Sequence, residues 1–156
     1  MANVDNPNGF KCVKSDTGII QIEEGLVATG QTITKGDALI ITSGLIQIAV
    51  ATSPQLYGIA AESVTSAAAG SNIKFIPALP IYVFEGQTSG TYAATDRADL
   101  CDIEGATGVM EVNEDGATED VIVIIREHPD ASLAANARVY FRIVQSSYLP
   151  LNAALA

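Results

Sequence analysis

The sequence predicts an all-β protein, built as a closed or double-layered antiparallel structure, and three observations carry that prediction. Ile and Val together supply 29 of the 156 residues, and these β-branched side chains fit a pleated, half-buried surface. They fall in runs of four to six residues, close to the usual strand length of about 5 or 6 and too short for most helices. Gly, Ser, Thr, Asn and Asp separate the runs, which is the punctuation of tight turns. With many short strands, only a closed or two-layered arrangement keeps exposed edges from pairing indiscriminately.

In chain order the runs are Gly18 to Ile22, Ala38 to Ile41, Leu45 to Val50, Tyr57 to Ala60, Ile73 to Ile76 and Ile81 to Phe84. Gly108 to Val112, Val121 to Arg126 and Arg138 to Val144 continue the series, giving nine or ten strands in all. In the last run Val139, Phe141 and Ile143 alternate with Arg138, Tyr140 and Arg142, so one face is apolar and the other wet. Thr42-Ser43-Gly44 is short enough to close a hairpin, and Lys35-Gly36-Asp37 and Glu114-Asp115-Gly116 offer residues that tolerate positive φ. Two stretches could instead be helical, Glu62 to Ala69 with its three consecutive alanines and Asp130 to Asn136 after Pro129. Residues 18–145 are expected to form one β-rich body, with a soft boundary near 87–96 where Gly, Ser and Thr cluster as a long surface loop. No repeat of 20 to 50 residues suggests a solenoid or propeller.

Length and charge narrow the function classes. A chain of this size buries roughly 70% of its unfolded surface and folds without a metal or disulfide staple. Eighteen acidic against eight basic side chains give a net charge of −10, which repels phosphate backbones and anionic membranes; no nucleic-acid or membrane partner is expected. No window approaches about 20 uninterrupted apolar residues. The amino terminus lacks the apolar core of a signal peptide, from which synthesis and folding in a cytoplasm are expected.

The chemistry-bearing residues are sparse. His128 is the single histidine, too few for a histidine metal cluster, and nothing beside it has the spacing of a nucleophile motif. Cys12 and Cys101 are too far apart for a zinc knuckle or redox pair and are expected to be free thiols. The acidic stretch from Asp99 to Asp130 raises calcium binding around Asn113-Glu114-Asp115-Gly116 or a hydrolytic carboxylate pair. Its spacing lacks the alternating ligands of a calcium loop, so a solvated acidic face is the simpler expectation. Phosphate-cradle, nucleophile-elbow and zincin strings are absent. The sequence therefore predicts no catalytic residues, no metal ligands, no cofactor and no enzyme.

The ends carry the remaining signals. Residues 1–17 are expected to be an arm, because Asp5-Asn6-Pro7-Asn8-Gly9 favours turns and the segment has no continuous apolar face. Phe10 would be its anchor on a partner. Residues 146–156 form an apolar, uncharged tail that needs a surface on the body or on a neighbouring subunit. Tyr148, Leu149, Leu151 and Leu155 are therefore the expected subunit-interface residues of a symmetric homo-oligomer.

The opening Met1 to Phe10, then Val13-Lys14, resembles the starts of the small capsid decoration, or cement, proteins of tailed bacteriophages. Gly25-Leu26-Val27, Lys35-Gly36-Asp37, Gly44 to Ala51, Tyr57 to Ala60 and Ala69 to Ile73 look like the β-rich core of that family. The resemblance covers roughly residues 1 to 85; beyond it only strand rhythm matches, and the acidic stretch from Asp99 to Asp120 has no counterpart. It implies a jelly-roll or barrel-like body forming dimers or trimers on the outer surface of an HK97-type shell. Its partners would be the major capsid protein and itself, and its location the virion. By the same resemblance Asn6, Pro7, Asn8, Gly9 and Phe10 would bind the capsid, the arms reaching across neighbouring shell subunits. The competing expectations are a carbohydrate-binding β-sandwich of a phage or bacterial surface structure, disfavoured by the absence of Trp, and a small hydrolase using the acidic stretch.

Overall fold

The computed structural model describes residues 2–148, and within them the chain is all β: eleven strands, one 3₁₀ turn at Ala94–Asp96 and no α-helix. The strands are β1 (Lys11–Ser15), β2 (Glu23–Leu26), β3 (Ala38–Thr42), β4 (Leu45–Ile48), β5 (Gly58–Ala60) and β6 (Asn72–Pro77). They continue with β7 (Tyr82–Gln87), β8 (Leu100–Glu104), β9 (Glu111–Asn113), β10 (Ile122–Glu127) and β11 (Arg138–Ile143). Two antiparallel sheets form, one of six strands in the order β1-β7-β11-β10-β8-β9 and one of five in the order β2-β6-β5-β3-β4. They face each other as a sandwich and do not close into a barrel.

The β3–β4 hairpin shows how local sequence sets this architecture. Thr42 pairs with Leu45 across a two-residue turn in which Ser43 and Gly44 both have positive φ, 52° and 81°. That is the turn whose twist matches two antiparallel strands. Pleat alternation then divides the residues of the five-stranded sheet between two cores. Ala38 and Ile59 face the six-stranded sheet and join Tyr82, Phe84, Ile122, Val139 and Phe141 in the main core. Leu39, Ile46, Ala60, Ile73 and Phe75 face the other way and are covered by Val27, Ile33 and Ala67 from the loops. The five-stranded sheet is thus buried on both faces.

Several expectations are corrected. The run Gly18 to Ile22 is not a strand: Ile19 is 72% exposed, and pairing begins instead at Glu23, opposite Phe75. Neither possible helix forms. In Glu62 to Ala69, the backbones of Val64 and Ile33 exchange hydrogen bonds, and the Ala67 N–H donates to the Gln31 carbonyl, so the facing loop takes the groups a helix would need. In Asp130 to Asn136, the Ser132 N–H donates to the Asn3 side chain and Asn136 lies at φ 57°. The stretch near 87–96 leaves strand β7 for a loop in which Ala93, Ala94 and Thr95 are exposed, but Thr88 and Tyr92 tie it to the body by being buried, and Thr91 bridges to Ala135. At the start of the tail, the Tyr148 ring lies 5.4 Å from Tyr57 and 6.3 Å from Phe75, on the chain's own five-stranded sheet, which is one of the two surfaces expected for the tail and no correction. Leu149, Leu151 and Leu155 lie outside the described residues.

Candidate functional site

The amino-terminal segment runs over the body as an extended strap and then enters it at a crossing that requires two glycines. Gly9 has φ 75° and Gly36 φ 96°, and the Phe10 N–H donates to the Gly36 carbonyl at 2.8 Å. A Cβ on Gly9 would sit 2.8 Å from that same carbonyl oxygen, so only glycine allows the two backbones to approach this closely. Past the crossing, Phe10 is 4% exposed and meets Phe141 edge-on at 5.1 Å. Lys11 then opens β1, which pairs with β7. Phe10 is therefore not the exposed anchor of an arm ending at residue 17. Its ring fills a flat seat over Gly86, where a Cβ would lie 2.7 Å from the ring.

Residues 2–8 are held almost entirely by polar contacts. Asn3 donates to the Ser132 and Ala135 carbonyls at 3.0 and 2.8 Å and accepts from the Ser132 N–H at 2.9 Å. The Asn6 N–H donates to Gln87 Oε1, and Gln87 Nε2 donates to both Asp5 and Glu111. Arg138 donates to the Asn6 carbonyl and the Asn8 side chain while paired with Glu85 at 3.3 Å. Val4 is 78% exposed, so the strap contributes little apolar burial. Beneath it lies a groove of about 440 Å³ lined by Asn3, Val4, His128, Ala131 and Arg138. The five residues expected to bind a capsid thus divide: Asn6 and Asn8 are exposed, Pro7 half-buried, and Gly9 and Phe10 buried.

The side chains that receive the strap, Gln87 and Arg138, escaped the sequence reading. Gln87 follows Glu85 and Gly86 after the apolar run Ile81 to Phe84, so nothing in the sequence marked it as buried, yet it is 1% exposed. Around it burial pushes the Glu111 carboxyl above the usual range; the Gln87 hydrogen bond opposes that, and the Asp5, Glu104 and Glu114 carboxylates add to it.

The acidic stretch is partly internal scaffolding rather than a wholly solvated face. Asp102 is buried and accepts from the backbone N–H groups of Thr118, Glu119 and Asp120, fixing the loop before β10. Glu114 is buried with one carboxylate oxygen accepting from the Gly90 N–H and the other without a partner. Burial drives its pKa up. Asp37, also buried, accepts from the Thr34 and Gly108 N–H groups and the Thr107 hydroxyl at 2.6 to 2.8 Å. Among the described residues no group of three or more His, Cys, Asp or Glu side chains converges as a metal site, and no helix is long and apolar enough to cross a membrane. Both cysteines are free thiols. His128 accepts from the Asp130 N–H and packs 5.5 Å from Tyr140.

The strap is thus docked on its own body by polar contacts and rooted in the core at Gly9-Phe10. No protein-family model matches the chain, and no curated protein matches it either.

Proposed function

We propose that this chain is a structural virion protein, a cement protein that binds the outer surface of an HK97-type phage shell and clamps its subunits. The reading rests on the sequence resemblance of residues 1 to 85. The structural observation that supports it best is the strap, a mostly exposed seven-residue lead held by exchangeable hydrogen bonds and rooted in the core by Phe10. An extended segment of this kind offers main-chain and amide groups to a neighbouring chain. Ordering it on a partner costs about 2–5 kcal/mol, so one strap binds weakly. Two or three straps on one oligomer bind with avidity of about 10² to 10⁴ over a single one. Self-association and the major capsid protein are the partners this mechanism needs.

The test is co-sedimentation with expanded and unexpanded capsids of the cognate phage, using the full chain and a variant lacking residues 2–8. The truncation stops short of Phe10, so the core is retained. Binding to expanded capsids that is sharply weakened by truncation is the expected result. Full decoration by the truncated chain would remove the strap from the mechanism, and no capsid binding together with hits on a glycan array would replace the reading altogether.

A further inference from the structure

The outer face of the six-stranded sheet carries a groove that the strap does not use. Register places Lys14 opposite Val83, Arg126 opposite Tyr140 and Val123 opposite Arg142, all pointing away from the core. Two β-bulges bracket this face. One interrupts β1 between Cys12 and Lys14 and the other interrupts β10 between Ile124 and Arg126. Each bulge turns two consecutive side chains outward, Val13 with Lys14 and Ile125 with Arg126, so that Val13 and Ile125 are 39% and 38% exposed. A bulge re-aims side chains in this way and increases the local twist. Between the two lies an open groove of about 320 Å³, floored by Val83 and Tyr140.

Its charge is opposite to that of the protein. Lys14, Arg126 and Arg142 line it and no Asp or Glu does, although acidic side chains outnumber basic ones by 18 to 8 in the chain. Arg142 is held at the rim by Asp16, through bonds of 2.9 and 3.0 Å, and by the Pro80 carbonyl at 2.6 Å. Arg126 has its guanidinium 5.1 Å from the centre of the Tyr140 ring, a cation–π contact that keeps the charge facing out. Lys14 is exposed on the neighbouring edge. Exposed aliphatic groups between like charges form a surface complementary to a polypeptide that alternates carboxylates with aliphatic side chains. A phosphate backbone of high charge density meets the repulsion of the −10 chain before reaching so small a patch.

We propose that this groove docks an extended acidic segment of a partner protein. Its carboxylates would lie between Lys14 and Arg126, and an aliphatic side chain would rest on Val13, Ile125 and Tyr140. The site shares no residue with the strap, so it stands or falls independently of the cement reading.

The experiment titrates the ¹⁵N-labelled full chain with a capped peptide of sequence Glu-Leu-Asp-Val-Glu, with its Lys-Leu-Lys-Val-Lys counterpart, and with a single-stranded DNA oligonucleotide. The expected result is saturable chemical-shift change centred on residues 13–14, 83, 125–126 and 140, seen with the acidic peptide only. The affinity should fall at least tenfold in a Lys14→Glu, Arg126→Glu double variant and persist in Lys14→Arg, Arg126→Lys. Neither side chain makes a structural ion pair, so the fold should survive charge reversal, and an unchanged amide spectrum away from the groove checks this. No saturable change, equal response to the basic peptide, or indifference to charge reversal would overturn the proposal. Binding of DNA at these residues would assign the groove to nucleic acid. Concentration-dependent shifts there without peptide would assign it to a second copy.

Discussion

Replacing Phe10 with alanine separates an arm anchored on a partner from an arm rooted in its own core. The ring is 4% exposed, packs edge-on against Phe141 and fills the seat over Gly86. Truncating a buried Phe to Ala removes transfer free energy and leaves a cavity, at a cost of about 3–5 kcal/mol. Here the seat has backbone on one side and an aromatic ring on the other, so it collapses poorly and a value of about 4 kcal/mol is expected. With a urea m-value of about 2 kcal/mol/M, the unfolding midpoint should drop by about 2 M. In a thermal scan the loss is about 8–16 °C, at 2–4 °C per kcal/mol for a domain of this size. Asn3→Ala supplies the contrast. It removes contacts from the strap alone, which opens locally, so global stability should change by less than about 1 kcal/mol while amide exchange quickens at Ser132. A Phe10→Ala midpoint shift under about 0.5 M, matching that of Asn3→Ala, would mean that the ring is not a core element and that the rooted strap is wrong.

Other perturbations read the buried polar groups. Asp37→Ala removes the buried acceptor of three part-buried donors, the Thr34 and Gly108 N–H groups and the Thr107 hydroxyl, and should cost about 1–3 kcal/mol in urea unfolding. The Cys101 thiol, pushed up to about 12 by burial and by neighbouring carboxylates, Asp99 foremost, should resist a disulfide reagent at pH 8 in the native chain and react fully in denaturant. The folded state holds the Glu114 proton above the ordinary carboxylate value of 4.5, so its contribution to stability is present below that pH and is lost as pH rises through the raised pKa. Glu114→Gln should flatten that part of the Tm-versus-pH curve. Glu127 works in the other direction: hydrogen bonding to Arg97 holds it down to about 2, so its contribution is present above 4.5 and lost as pH falls toward 2.

What the sequence could reveal was set by how local the cause was. The β3–β4 turn and the alternation of β11 depend on neighbours in the chain, and both were legible. Strands β2 and β8 were hidden because their residues break the apolar pattern: Glu23 and Glu24 open β2, and Asp102 sits inside β8 with its carboxylate buried against loop N–H groups. Gly25 in β2 lies against Ile46, where a Cβ would come within 2.7 Å of the Ile46 Cδ1, a contact invisible without the fold. The isoleucines of Gly18 to Ile22 misled for the converse reason, since apolar residues need not be buried. In Glu62 to Ala69 the preference of three alanines for helix, tenths of a kcal/mol each, lost to backbone pairing with the facing loop. The strap was legible as a segment with no apolar face, but its depth was not. That Phe10 crosses Gly36 and reaches Phe141, 131 positions away in the chain, is tertiary information.

If the strap serves a shell, its own body competes with that shell. Every hydrogen bond that Asn3, Asp5 and Asn6 make to residues 87 to 135 must be given up before the same groups reach a capsid subunit. The free fraction of strap then sets the apparent affinity, as for any binding-competent state that is only partly populated. Gln87 is the variable to change, because it holds both Asp5 and Asn6 but belongs to the sheet rather than to the strap. Gln87→Ala removes two strap contacts worth about 1 kcal/mol each, raising the released fraction by about 30-fold while it remains small. Under the proposed function this variant should decorate expanded capsids more tightly than the unaltered chain, and faster amide exchange at Asn6 should accompany the gain. If exchange at Asn6 quickens while capsid binding is unchanged or weaker, the strap binds in its docked position. The contact surface would then be the strap and body together, not a released arm.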